Sequence, residues 1–359
     1  VSENVNDAGI ISDEPTRLSE IVSVLFAEQA EGWTSRLENG SRAELLAGAN
    51  AQDDCAVFKL EGSQELVLGS DYVRGPKFQL YESGYLDEYD VGYYLAIANF
   101  SDIAAMGAHP IALLSVIRYP RQMPDGDFKK VMQGIRDACA KVGAPNVGGD
   151  IGTAERLILS ASAIGTVEPG RSLRRNGARV GDCLYVSGAT GIAAAAQRYF
   201  GKARPVGAHL ETEKEGELLN AWRRPRALIQ YGRCLSGSGM VTSCQDSSDG
   251  LKAGIQTIAA QSGVGFIVEE SSLPLADIVG EVAKLTDVDP VGLVLGDSVD
   301  FQLIFTVPES ATARLERLMH VHDLPFFRIG IATRQPDVLL RRSAGDLVGL
   351  PGSTWRHTI

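Results

Sequence analysis

The sequence predicts a two-domain α/β protein, and three observations carry that expectation. The chain has 359 residues, and domains run to about 100–200 residues each. Apolar runs alternate between strand-like and helix-like spacing along its length. The alternation breaks between about 168 and 182, around Glu168-Pro169-Gly170, and a second α/β region starts near Gly177. The expected division is an N-terminal extension and helix over 1–40, a first domain over 41–170, a second over 171–340 and a tail over 341–359.

The elements follow in order. Residues 17–30 have apolar positions at helical spacing, and a polar stretch runs to about Gln52. Two short apolar runs, DDCAVFKL and ELVLGSD, flank Glu61-Gly62-Ser63-Gln64 and predict a β-hairpin. Residues 88–106 read as a helix stopped by Gly107, a C-terminal glycine. A strand over 111–120, a helix over 126–142 and a strand over 157–167 complete the first half. In the second half, CLYVSG (183–188) is a strand followed by an Ala-rich helix, and 201–225 reads as a charged loop. Helices are expected over 226–235, from Ser247 to Gly263 and over 310–320, with VGFIVEE and FQLIFTV as strands.

Composition narrows the function. With 34 Lys+Arg against 45 Asp+Glu, the formal net charge is −11. Such a chain lacks the basic footprint of a general nucleic-acid or anionic-membrane binder, so local cations or metal ions must meet any phosphate ligand. The five cysteines are scattered without a CxxC pair, which argues for reduced thiols and against a disulfide framework or zinc site. No apolar run reaches the roughly 18–20 residues of a membrane span. The polar, acidic start has no signal-peptide pattern. The expectation is a cytoplasmic protein with a frayed N-terminal tail.

The informative residues are aspartates beside small residues at element ends. If Leu60 pairs with Glu65 in the hairpin, Asp54 lies opposite Asp71. Opposed carboxylates repel unless a cation sits between them, and Mg²⁺ binds through carboxylates plus substrate phosphates. The plainer alternative is two solvated aspartates at a frayed end. Asp102 lies in an apolar, small-residue run and shares a helix face with Asn99; a capping or polar-stripe role is its alternative. Gly148-Gly149-Asp150 permits close backbone approach to a phosphate, or is simply a turn. Asp246-Ser247-Ser248-Asp249-Gly250 leads into a helix, where Ser248 or Asp249 is a good N-cap. Two acids beside a helix N-terminus can also hold a metal while backbone amides meet phosphate. Asp297 and Asp300, before FQLIFTV, say little alone. The chain has no GxxxxGK[ST], kinase HRD set or GxGxxG.

Taken in order, these segments resemble the thiamine-monophosphate kinase family within the AIR-synthase-like (PurM-like) superfamily. The segments are Asp53-Asp54-Cys55-Ala56-Val57, Ser70-Asp71, Asn99 to Ala108, Gly148-Gly149-Asp150, Leu173 to Asp182 and Asp246 to Leu251, within about 53–306. The resemblance implies a two-domain PurM-like fold. Its N-terminal domain would dimerise through its strands in a β-barrel-type interface, its C-terminal domain would be α/β, and ATP would lie between the two. It also implies an ATP-dependent kinase using several Mg²⁺ ions, a small-molecule acceptor and a homodimer. Carried over by position, Asp54, Ser70, Asp71, Asp102, Asp246 and Asp249 correspond to the metal site. Gly149, Asp150, Arg175 and Ser248 correspond to nucleotide contacts.

The acceptor side departs from the family pattern. The family's His-Phe reads Lys77-Phe78, and its Gly-Gly-Asp-Thr-Thr-Arg continues here as Gly149-Asp150-Ile151-Gly152-Thr153. The C-terminal Gly-Gly-(Asp/Glu)-Asp-Tyr-Glu-Leu reads Asp297-Ser298-Val299-Asp300-Phe301-Gln302-Leu303, so an acceptor-contacting acid has become Val299 or Gln302. The terminal aromatic-Asp-His-Phe resembles Trp355-Arg356-His357-Thr358. Lys77, Phe78, Val299 and Trp355 are therefore the expected acceptor contacts. The leading expectation is a kinase of this type acting on a different small acceptor. Alternatives are a genuine thiamine-monophosphate kinase, an AIR-synthase-like enzyme that activates a carbonyl or amide oxygen with ATP, and a non-catalytic nucleotide-binding dimer. No residue stands out as a general base.

Overall fold

Strand-forming residues build the first sheet from a meander of β1 (Thr34–Arg36), β2 (Arg42–Ala47), β3 (Ala56–Leu60) and β4 (Glu65–Val73). The computed structural model describes residues 34–36, 42–47, 53, 55–60, 64–73, 79–201, 207 and 209–353. The helix expected over 17–30 lies outside these residues, as do Asp54, Lys77, Phe78 and Trp355. Both hairpin strands form, but in a different register: Lys59 pairs with Glu65 and Ala56 with Leu68. This is a one-residue shift from Leu60–Glu65, so continuing the register sets position 53, not 54, opposite Asp71. The Leu60–Glu65 pairing on which the expected opposition of Asp54 and Asp71 rested is thereby corrected. Four loop residues did not determine the register, because a hairpin turn can admit a fifth.

A short helix α1 (Gln79–Glu82) leads to α2 (Glu88–Ala105). Asp87 caps α2, its carboxylate accepting from the Asp90 amide while Asp90 accepts from the Asp87 amide. Fifteen of its 18 residues are buried, as expected of a helix covered on every side. Strand β5 (His109–Tyr119), helix α3 (Asp125–Val142), strand β6 (Asn146–Thr153) and strand β7 (Ile158–Val167) follow. Helix α3 is the crossover between parallel β5 and β6. Among the described residues the sheet order is β1-β2-β3-β4-β7-β5-β6. The Gly148-Gly149-Asp150 segment, for which a turn was the plainer alternative to a phosphate approach, is part of β6. At Gly149 a Cβ would stand 1.7 Å from the Ser115 carbonyl oxygen, so only glycine permits this pairing.

The second sheet is fed by β8 (Cys183–Val186), α4 (Ile192–Phe200), α5 (Thr212–Arg223), α6 (Ile229–Ser238) and β9 (Ser243–Asp246). Next come α7 (Leu251–Ser262), β10 (Gly265–Glu269), α8 (Asp277–Leu285), α9 (Pro290–Leu295) and β11 (Leu303–Val307). Helix α10 (Glu309–Val321), β12 (Phe327–Thr333), β13 (Val338–Arg341) and β14 (Leu347–Gly349) end the described chain. The order is β14-β13-β10-β12-β8-β11-β9. Helix α5 falls in the expected charged loop; its polar residues conceal a buried Leu218, Leu219 and Trp222 face. Strands β13 and β14 carry the second sheet past the expected boundary at 340.

Helix α2 joins the halves. Tyr94 stacks on Trp222 with ring centroids 6.0 Å apart and tilts against Phe301 at 5.5 Å. Arg224 pairs with Asp90 at 2.7 Å, and the Leu173 amide donates to the Met106 carbonyl. No described helix is long and apolar enough to cross a membrane.

Candidate active site

The middle of α2 anchors acid-bearing strands from both halves. On β4, Val67, Asp71 and Val73 share the face turned toward the helices, because side chains alternate. The Asp71 amide donates to Asn99 Oδ1 at 3.0 Å, and Asn99 is completely buried. Two residues along the same helix, Ser101 Oγ donates to Asp246 Oδ2 at 2.5 Å. Asp246 ends β9 and is 1% exposed. Half-buried Asp102 lies beside Ser101. One helical turn thus ties an acid-bearing strand of the first sheet to one of the second.

The loop after Asp246 turns back on its carboxylate. Asp246 Oδ1 accepts from Ser248 Oγ at 2.8 Å and from the Ser248 amide at 3.3 Å. Asp249 is exposed. Neither Ser248 nor Asp249 caps α7, whose N-cap is Gly250 with no side-chain cap. Gly250 has φ +95°, and a Cβ there would lie 2.1 Å from the Gly296 carbonyl oxygen. That contact seats the acidic loop against the segment bearing Asp297.

The remaining expected nucleotide positions are more dispersed. The Arg175 amide donates to Asp53 at 3.0 Å, bridging the two halves. Asp150 pairs with Arg118 at 2.6 Å on exposed β6. Gly149 is in the same row as Asp71, through Ser115 and Ala161. Three strand spacings separate them, about 14 Å. Ser70 points to the opposite face from Asp71, and its hydroxyl meets that of Ser162 at 2.5 Å.

Two expected acceptor positions are structural. Val299 is 2% exposed and belongs to the apolar core. Gln302 Oε1 accepts from Ser187 Oγ at 2.7 Å, and the Gln302 amide donates to Ser247 Oγ. Their neighbour Asp300, uninformative by sequence, accepts from the Gly191 and Ala193 amides at the start of α4 and from Ser298 Oγ. Burial pushes its carboxyl up, opposed by those hydrogen bonds. Sequence reading also missed Ser101 as the partner of Asp246, although a hydroxyl beside Asp102 in an apolar helix was the available signal.

Among the described residues no three acidic, histidine or cysteine side chains form a metal-holding cluster. Asp71, Asp102, Asp246 and Asp249 are all hard oxygen donors, and Mg²⁺ is commonly held by one or two carboxylates plus substrate phosphates rather than an all-protein cage. The donor set therefore suits an ion that arrives with a phosphate ligand.

Comparison with known proteins agrees with this architecture. Residues 52–167 match the family model "AIR synthase related protein, N-terminal domain", and residues 179–341 match its C-terminal counterpart. A thiamine-monophosphate kinase of Halobacterium salinarum is 33% identical over 220 residues, 61% of this chain and 69% of the relative. The solved complex of AaThiL with AMPPCP and TMP superposes with a TM-score of 0.72 at 25% identity, covering 85% of this chain and 91% of that one. The thiamine-monophosphate kinase structure from Stenotrophomonas maltophilia K279a gives 0.70 at 28% identity, covering 85% and 92%.

Proposed function

Because this chain belongs to the AIR synthase related proteins, on their thiamine-monophosphate kinase branch, we propose that it transfers the γ-phosphoryl group of ATP to thiamine monophosphate. It is an ATP-dependent kinase of this type. The supporting observation is that the strands bearing Asp71 and Asp246 are both anchored to the turn of α2 that carries Asp102, through the Asn99 and Ser101 bonds. The expectation of a different acceptor rested partly on Val299 and Gln302. Val299 is core and Gln302 is engaged with Ser187 and Ser247, so those differences do not argue for another acceptor.

In this reaction an acceptor phosphate oxygen forms a bond to the γ-phosphorus, and the bond from that phosphorus to the β,γ-bridging oxygen breaks, leaving ADP. Such transfer depends on positioning and charge neutralisation more than on covalent help from the protein. Asp71, Asp102, Asp246 and Asp249 would hold Mg²⁺, which when bound neutralises phosphate charge. Ser101 and Ser248 hold the Asp246 carboxylate in one orientation, and Asn99 positions β4. The α2 contacts hold the two halves at a set separation.

The protein would act as a homodimer through the open face of the first sheet. Ile111, Leu114, Val116 and Ile158 are each 38–44% exposed there, an apolar patch suited to a second copy. The test of function is steady-state transfer from γ-labelled ATP with Mg²⁺. Labelled thiamine diphosphate at a catalytic efficiency of about 10⁴ M⁻¹s⁻¹ or more is expected; label only in free phosphate, or in no product, overturns the proposal.

A further inference from the structure

We propose that a cleft on the side of the molecule formed by α6 and α10 binds a small organic anion with an apolar body, separately from the acidic site. The cleft has a volume of about 940 Å³ and straddles the two halves: His109 comes from the start of β5, Ile229 and Arg233 from α6, and Arg314, Arg317 and Leu318 from α10. That volume lies in the range of small-molecule sites, about 300–1,000 Å³. None of Asp71, Asp102, Asp246 or Asp249 lines it.

Charge identifies the class of ligand. The chain carries 45 acidic residues against 34 basic ones, yet the lining contains three arginines and two histidines and no carboxylate. Arg233 is already neutralised, its guanidinium donating to both carboxylate oxygens of Glu168 at 2.6 and 2.8 Å. Arg314 and Arg317 are exposed and form no ion pair among the described residues. They are three apart on α10 and so share one face. Ile229 and Leu318 add apolar surface to the same cleft. Two uncompensated guanidinium groups and apolar surface in one cleft suit a phosphate, sulfonate or carboxylate joined to a hydrocarbon or aromatic body. A nucleic acid is disfavoured by the net charge of −11.

The probe is 8-anilinonaphthalene-1-sulfonate, titrated by fluorescence into the full chain with and without saturating Mg-ATP. One dye per chain is expected, not displaced by Mg-ATP. Arg314→Gln with Arg317→Gln should weaken the dye about tenfold or more while leaving kinase turnover unchanged. Gly237→Phe should also weaken dye binding, because it adds a ring at a residue lining the cleft where a Cβ meets nothing within 4 Å. Failure of the wild-type chain to bind dye, displacement by Mg-ATP, or unchanged affinity in either variant overturns the proposal.

Discussion

Asp71 and Asp300 show how differently two aspartates of one chain are used. Asp71 is half-buried, with Oδ1 accepting from the Tyr72 amide. A carboxamide at this position could keep that acceptor oxygen while losing the charge. Asp71→Asn should therefore lower kcat by about 10²-fold or more while shifting stability by less than about 0.5 kcal/mol; assay and urea unfolding on one preparation check both. Asp300 instead holds the start of α4. Asp300→Ala leaves buried amides without their acceptor and should cost about 2–4 kcal/mol. Burial raises the carboxyl in the folded state, so the folded chain retains the proton over a pH range where the unfolded chain has lost it. Its contribution is full below the unfolded value and declines as pH rises through the folded one. The stability gap between wild type and Asp300→Ala should accordingly narrow as pH rises above the ordinary carboxylate range.

Helices here are placed by what their glycines admit. A Cβ at Gly92 would meet the Val131 carbonyl oxygen at 2.2 Å, one at Gly134 the Tyr89 carbonyl oxygen at 2.1 Å, and one at Gly232 the Ala104 carbonyl oxygen at 2.0 Å. Helices α3 and α6 therefore lie directly on α2. Gly232→Ala must push α6 off the turn preceding Gly107, at a cost of about 1–3 kcal/mol. Thermal unfolding should register this as a lowered Tm, and an unchanged Tm would show that α6 can shift freely. Helix α2 itself was legible from its apolar run and its stop at Gly107. Helix α5 was not, because charge on its outer face masks three buried positions.

At the scale of the whole molecule, ion pairs and a sheet face govern how the parts associate. The Arg233 hydrogen bonds hold the Glu168 carboxyl down at about 2. Its stabilisation is thus present above the ordinary carboxylate value and is lost as pH falls toward 2. With the Glu168 side chain half exposed, Glu168→Gln should cost only about 0.2–1 kcal/mol at about pH 7 and nothing near about pH 2, as urea unfolding at the two pH values would show. Val116→Lys places a charge in the open face of the first sheet. Light scattering should then give a monomer where the unaltered chain is a dimer; a dimer in both would remove that face as the interface.

The sequence by itself determined the two α/β halves, the main helices and strands, and the family's ordered acidic segments. These are local matters of periodicity, turn residues and motif order. Only the tertiary structure decided which acid-bearing segments are tied together. A fifth loop residue shifts the hairpin register by one, so that Lys59 and not Leu60 pairs with Glu65, because each added loop residue moves every strand pair along by one. Asp246 reaches α2 through a hydroxyl 145 residues away in sequence, a separation that no local pattern encodes. Val299 looked like a lost ligand contact and is core, because burial depends on what packs across from a residue rather than on its neighbours in the chain.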